Sequence, residues 1–241
     1  MKPPSGSPEG AFFCLAAAVQ DQIVYHCRRM TQVQAFEFNP FAENTYIVYD
    51  DSGQCVIFDP GCYTPAERKT LQQFVETNQL EVVRLINTHC HLDHVFGNNF
   101  VCNTWSLLPE LHRGELPLLE RYPATCYLYG IPDVEPSPMP KHFLEPGTQL
   151  KFGNTKMEIL FTPGHSPASL SFYCYDAGFL IAGDVLFLES IGRTDLPGGN
   201  HNQLLESIRT QLFTLPGETL VYPGHGPETT IRHEMEYNPF L

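Results

Sequence analysis

The chain has 241 residues, 42% of them apolar, and a formal net charge of −13. That length and composition suit one domain with a full core, and the acidic balance argues against nucleic acid, whose binding needs a basic footprint. Eight cysteines without a C-x-x-C pair argue against a disulfide framework and point to reduced core thiols in a reducing compartment, the cytoplasm.

The first ten residues are rich in Pro, Gly and Ser and read as disordered. Ala11 to Val19 is an apolar run of nine, too short to span a bilayer. It imitates the apolar stretch of a secretion signal. The segment before it carries only Lys2, offset by Glu9, and no clean cleavage site follows. Residues 1–30 are therefore expected to be a poorly ordered leader extension, with Met30 as the natural start. Residues 31–241 form the expected domain, and secretion is the alternative.

Val33–Phe38 and Thr45–Tyr49 read as strands, and Asp50-Asp51-Ser52-Gly53 turns the second into Gln54–Phe58 as a hairpin. Pro65 opens a helix that runs to about Asn78, with proline in its first turn and Leu71, Phe74 and Val75 as its apolar stripe. Val82 to Ile86 reads as a buried strand. Directly after it stands Thr88-His89-Cys90-His91-Leu92-Asp93-His94. Histidine and aspartate suit zinc, iron or manganese. His89 and His91 are two apart and project to one side of an extended segment. Asp93 and His94 can turn toward a second ion, so one short loop can hold two metals side by side. The bland reading is a polar loop of solvated histidines. The strand before it argues otherwise, because α/β proteins place sites at the ends of core strands. Cys90 lies between alternating ligands and should point away, a ligand role being the alternative.

Phe96 to Trp105 reads as helical, and so does Glu115 to Tyr129, broken at Pro117 and Pro123. Ile131 to Pro140 holds four prolines and reads as a rigid connector between two halves of one domain. Strands resume at Gln149–Phe152 and Lys156–Phe161, with Gly153-Asn154 as their turn. Ser169–Tyr175 and Gly178–Ile181 pair across Asp176-Ala177, and Thr219–Val221 is a further strand. His201 to Leu215 reads as an amphipathic helix with Leu204, Leu205, Ile208 and Leu212 inward. Three more ligand candidates follow strand-like runs: His165 in Thr-Pro-Gly-His-Ser, Asp184 in Ile-Ala-Gly-Asp, and His225 in Tyr-Pro-Gly-His-Gly. The glycine before each lets the backbone turn tightly. Singly each reads as a turn; together with the first cluster they supply ligands for two ions.

These motifs resemble those of metallo-β-lactamase-fold hydrolases, from about Gln32 to Leu241. Within that superfamily the chain is most similar to the glyoxalase II-like, or hydroxyacylglutathione hydrolase-like, group. The likeness rests on Asp59-Pro60-Gly61, on Ser190 to Gly199 (Ser-Ile-Gly-Arg-Thr-Asp-Leu-Pro-Gly-Gly), and on Gly224 to Thr230 followed by Asn238-Pro239. The resemblance implies an α/β (α+β) fold: an αββα four-layer sandwich of two mixed sheets flanked by helices. It implies that His89, His91 and His165 hold one metal, that Asp93, His94 and His225 hold the other, and that Asp184 bridges both with a hydroxide between them. Two zinc, iron or manganese ions per chain are therefore expected.

The chemistry implied is hydrolysis of a small-molecule thioester such as S-lactoylglutathione, with no nucleic-acid or membrane partner and an open oligomeric state. Asp93 is the candidate catalytic residue, either as a ligand alone or by also orienting the hydroxide. Asp59 is either a turn residue or an acceptor behind a ligand histidine. Ser166 reads as a turn hydroxyl rather than a nucleophile. Longer relatives carry a C-terminal helical domain that grips glutathione, whereas eleven residues follow Thr230 here. Arg193 is then the anion-binding candidate, with a salt bridge to Asp195 as its alternative. The other functions open are a mononuclear iron persulfide dioxygenase using His89, His165 and Asp184, a lactone or phosphodiester hydrolase of the same fold, and a non-enzymatic metal-binding protein.

Overall fold

The computed structural model describes residues 31–131 and 133–241, so the expected leader and the Met30 start lie outside the described residues. Its first half contains β1 (Gln32–Phe38), β2 (Glu43–Tyr49), β3 (Gln54–Phe58), α1 (Pro65–Thr77), β4 (Glu81–Ile86), α2 (Leu92–Val95), α3 (Asn98–Trp105), β5 (Pro109–Glu110) and α4 (Leu116–Leu128). Its second half contains β6 (Gln149–Phe152), β7 (Thr155–Phe161), β8 (Leu170–Cys174), β9 (Phe179–Gly183), β10 (Leu186–Phe187), β11 (Ser190–Ile191), α5 (His201–Ser207), β12 (Leu220–Pro223), β13 (Thr229–Thr230) and α6 (Ile231–Tyr237).

Period-two alternation sorts the strand side chains into layers. Tyr46, Val48, Val56 and Phe58 face Leu150, Met157, Ile159 and Phe172 between the sheets. Their neighbours Ile47, Cys55 and Ile57 face the other way, onto Leu71 and Val75 of α1 and Val101 of α3. On the far side, Leu180, Ala182 and Val221 pack against Leu204, Ile208, Leu212 and Ile231. The result is helix, sheet, sheet, helix. One sheet runs β1-β2-β3-β4-β5, with β3, β4 and β5 parallel; the other runs β13-β12-β9-β8-β7-β6, with β9 and β12 parallel. Strands buried on both faces read as continuous apolar runs, as β9 does.

Helix α1 starts where Pro65 predicts. Thr64 accepts from Glu67 N while the Glu67 carboxylate accepts from Thr64 N, a reciprocal cap. Three helical expectations are corrected. The helix expected near Phe96 to Trp105 starts two residues later, at Asn98 of α3, because Phe96 and Gly97 form the turn that separates it from α2. The break expected at Pro117 and Pro123 is absent, and α4 is one helix from Leu116 to Leu128. Pro117 falls in the first turn, where a missing N–H costs nothing. Pro123 does delete an internal bond, but Leu119, Tyr122 and Cys126 around it are buried against α2 and hold the turn. Finally, α5 ends at Ser207 and continues as a π turn over Ile208–Leu212, with Leu205 only half-buried.

Candidate metal centre

All seven ligand candidates converge at one edge of the sandwich. His89 and His91 leave the end of β4, Asp93 and His94 lie in α2, His165 follows β7, Asp184 follows β9, and His225 follows β12. His89, His91 and His165 form one group whose ligand atoms lie within 4.8 Å of one another, and Asp93, His94 and His225 form a second within the same limit. Asp184 stands between them. Its Oδ2 is 3.4 Å from His165 Nε2 and 3.5 Å from His225 Nε2, and its Oδ1 is 3.4 Å from His94 Nε2. His225 Nε2 lies 3.2 Å from Asp93 Oδ2.

These separations are informative. Two atoms that share a tetrahedral ion at ~2.1 Å stand roughly 3.4 Å apart. His89 Nε2, His94 Nε2 and Asp184 Oδ1 are buried with no hydrogen-bond partner, a costly state unless an ion satisfies them. The three histidines of the first group and the two carboxylates suit a cation in their protonation too. Burial, reinforced by neighbouring histidines, holds His89 well below the usual imidazole range and pushes His91 down to about 3; His165 is lowered by burial as well. Burial opposes ionisation of Asp184 and Asp93, but His94 beside them outweighs it and keeps both carboxyls below their usual range. For His94 and His225 the carboxylates outweigh burial and raise the ring.

The surrounding hydrogen bonds aim these rings. His165 Nδ1 donates to the Arg193 carbonyl at 2.8 Å, which leaves Nε2 without a proton, 3.4 Å from Asp184 Oδ2 and 2.8 Å from His91 Nδ1. His225 Nδ1 faces the Phe41 and Ala42 carbonyls at 3.1 and 3.2 Å and turns its Nε2 inward in the same way. Asp59 accepts from Thr88 N and Oγ1 at 2.7 and 2.6 Å, and its Oδ2 lies 3.2 Å from His94 Nδ1. The Thr88 hydroxyl is in turn 3.0 Å from His89 Nδ1. Gly183 has φ +57°, and a Cβ there would come 2.6 Å from Thr88 Oγ1; a Cβ on Gly224 would collide with Asp184 Oδ1. Gly224 keeps room for the Asp184 carboxylate, and Gly183 for Thr88 beside the His89 ring.

Cys90 packs among Leu92, Val95 and Phe96, away from the ligand groups. The Ser166 hydroxyl donates to Glu115 Oε1 and meets Ser169 Oγ, so it belongs to the turn. The Arg193 guanidinium pairs with Asp195 through two 2.7 Å bonds. Two buried carboxylates escaped the sequence reading. Glu115 accepts from Cys90 N, Ser166 Oγ and Ala168 N, tying the His89–His91 loop to the His165 loop. Glu43 accepts from Thr45 Oγ1 and lies 3.9 Å from His94 Nδ1. Burial pushes the carboxyls of both upward. In one sequence Glu115 looks like an ordinary acid at a helix start, and Glu43 carries no local signal at all. Above the centre opens a cavity of about 800 Å³, walled by one face of α4, by the β10–β11 hairpin and by Phe41.

A sequence family described as the metallo-β-lactamase superfamily matches residues 38–225. The chain belongs to that superfamily. It is 41% identical over 206 residues to the probable metallo-hydrolase YqgX of Bacillus subtilis, covering 84% of this chain and 93% of that protein. It is 33% identical over 214 residues to the hydroxyacylglutathione hydrolase GloC of Haemophilus influenzae, covering 87% and 97%. That likeness supports the glyoxalase II-like group. The solved structure of TTHA1623 in a di-iron-bound form superposes with a TM-score of 0.78 at 36% identity, covering 86% of this chain and all of that one. The fold is that of metallo-β-lactamases. The His/Asp clusters fit a dinuclear site in a metallo-hydrolase, and among the described residues no helix is long and apolar enough to cross a membrane.

Proposed function

We propose that the chain is a dinuclear metal-dependent thioester hydrolase, with S-lactoylglutathione as a first substrate to try. The observation that carries this reading is Asp184, within 3.5 Å of ring nitrogens from both three-ligand groups. In this reading His89, His91 and His165 hold one ion, Asp93, His94 and His225 hold the second, and Asp184 serves both. When bound, two zinc, iron or manganese ions supply a nucleophilic hydroxide near neutral pH and a field that stabilises the developing oxyanion. The protein's own groups set the geometry. Asp93 orients the attacking oxygen besides ligating. Asp59 and Thr88 fix the rings of His94 and His89, and the Arg193 carbonyl fixes that of His165. The apolar cavity seats the thioester and limits water.

The completeness of the second group favours this over a mononuclear dioxygenase, which needs only His89, His165 and Asp184. The net charge of −13 argues against RNA. In the same reading residues 31–241 are one domain after a leader extension, and the six free cysteines among the described residues, all buried, suit the reducing cytoplasm. The deciding experiment counts metals by elemental mass spectrometry and assays S-lactoylglutathione, RNA and glutathione persulfide side by side. Two ions with thioester cleavage is the expected result. One iron with oxygen uptake on the persulfide overturns the reading in favour of the dioxygenase. A Asp184→Ala chain that keeps both ions and normal turnover overturns the bridging role.

A further inference from the structure

Helix α4 turns a continuous face to the cavity: Leu118, Arg121, Tyr122, Thr125, Leu128 and Tyr129 all line it. These positions recur at helical spacing, so they form one stripe. Phe41, Phe187, Ile191 and Leu196 line the cavity with them. Apart from the metal-site groups, the lining is mostly aliphatic and aromatic. Two guanidinium-bearing residues reach it, Arg121 and Arg193. The Arg193 guanidinium is already engaged by both oxygens of Asp195. Arg121 is exposed and makes no ion pair among the described residues.

We propose that Arg121 grips a carboxylate at the far end of the substrate, so that the cavity selects thioesters with an apolar arm ending in one negative charge. The inference rests on the thioesterase reading and names its substrate class. An arm of methylenes or a ring gains from leaving water against such a lining. One free guanidinium offers a planar fork that matches one carboxylate in two-point contact. An arm with several charges, that of S-lactoylglutathione included, would set the rest against an apolar wall with no partner, which is costly, so S-lactoylglutathione is expected to be cleaved with a higher KM than a singly charged apolar thioester. The cavity therefore discriminates by the arm rather than by the acyl carbon, where the metal ligands act on any thioester alike.

The test uses the full, metal-loaded chain and two lactoyl thioesters, one of 6-mercaptohexanoate and one of its methyl ester. The acid is expected to be preferred by about tenfold in kcat/KM, the gain of one solvent-exposed charge-assisted pair, and the difference is expected to lie in KM. Arg121→Gln should abolish the preference, while Arg193→Gln should keep it. Equal KM values for the two substrates, or a preference that survives Arg121→Gln, overturns the proposal. Calorimetry with octanoate gives a second reading that needs no turnover. If neither these thioesters nor S-lactoylglutathione is cleaved, the hydrolase reading fails, yet about tenfold weaker octanoate binding in Arg121→Gln still upholds the grip. Unchanged octanoate binding overturns it.

Discussion

Replacing Glu115 by alanine tests whether the two ligand loops are held by one buried carboxylate. Glu115 is fully buried and accepts three bonds: Cys90 N at 3.0 Å, and Ser166 Oγ and Ala168 N at 2.7 Å each. All three donors are themselves buried. Each one left without an acceptor costs about 1–3 kcal/mol. Because water can enter part of the vacated space, the lower half of that range applies, about 3–6 kcal/mol for the three together. Against a total stability of ~5–15 kcal/mol this is severe but survivable, and at ~2–4 °C per kcal/mol it lowers Tm by roughly 10 °C. Glu115→Gln is milder. Its amide oxygen still takes Ser166 and Ala168, but its NH2 group opposes Cys90 N–H, so one bond is lost, about 1–3 kcal/mol. Both variants should also loosen metal, because removing groups that orient ligands costs ~10–100-fold in affinity. Thermal melts with and without zinc, together with chelator competition, measure both effects. An alanine variant that melts within about 3 °C of the parent and holds both ions as tightly would refute the clamp.

Gly224→Ala should drop metal content below two ions per chain, since its Cβ collides with Asp184 Oδ1; elemental analysis that still finds two ions contradicts that packing. Stripping metal with a chelator should lower Tm by roughly 10 °C, because an ion held at a thousand times its Kd adds ~4 kcal/mol to the folded state; an unmoved melt would show that the seven side chains bind no ion tightly. Asp50 gives a pH prediction remote from the site. Burial opposes its ionisation, but donors from Ser52, Thr155 and Asn154 outweigh it and hold its carboxyl below the usual range. A carboxylate lowered by folding stabilises above its unfolded pKa, and that contribution is lost as pH falls through the folded value. Asp50→Asn should therefore be less stable than the parent at pH 7, with the gap closing as the pH drops below the ordinary carboxylate range; a gap that is constant with pH contradicts the assignment.

The seven ligand candidates were readable in the sequence because each sits in a short segment whose chemistry is local: a histidine or aspartate after an apolar run, with glycine to turn the chain. The strands were readable for the same reason, since alternation and turn residues are near-neighbour signals. Glu115 was not. Its meaning lies in bonds to Cys90, Ser166 and Ala168, 25 to 53 residues away, and no local pattern reports them. Glu43 likewise gains its role from His94. Pro123 misled because helix propensity is a local rule, and burial of Leu119, Tyr122 and Cys126 overrode it. The guanidinium of Arg193 could be weighed two ways from sequence, and only the fold sets it against Asp195 at 2.7 Å.

Each ligand group draws from both sheets. His91 and His165 meet across 74 residues of chain, and Leu170 N donates to the Thr88 carbonyl where the two sheets adjoin. Bringing such distant points together costs entropy that grows only slowly with the span, so an ion held there ties the two halves of the folded chain together and is released when they part. Contacts of this range are also made late and slowly. The two half-sandwiches have no finished centre until they have found each other. Assembly of the ligand set and docking of the halves are one event, which makes metal capture a report on correct folding.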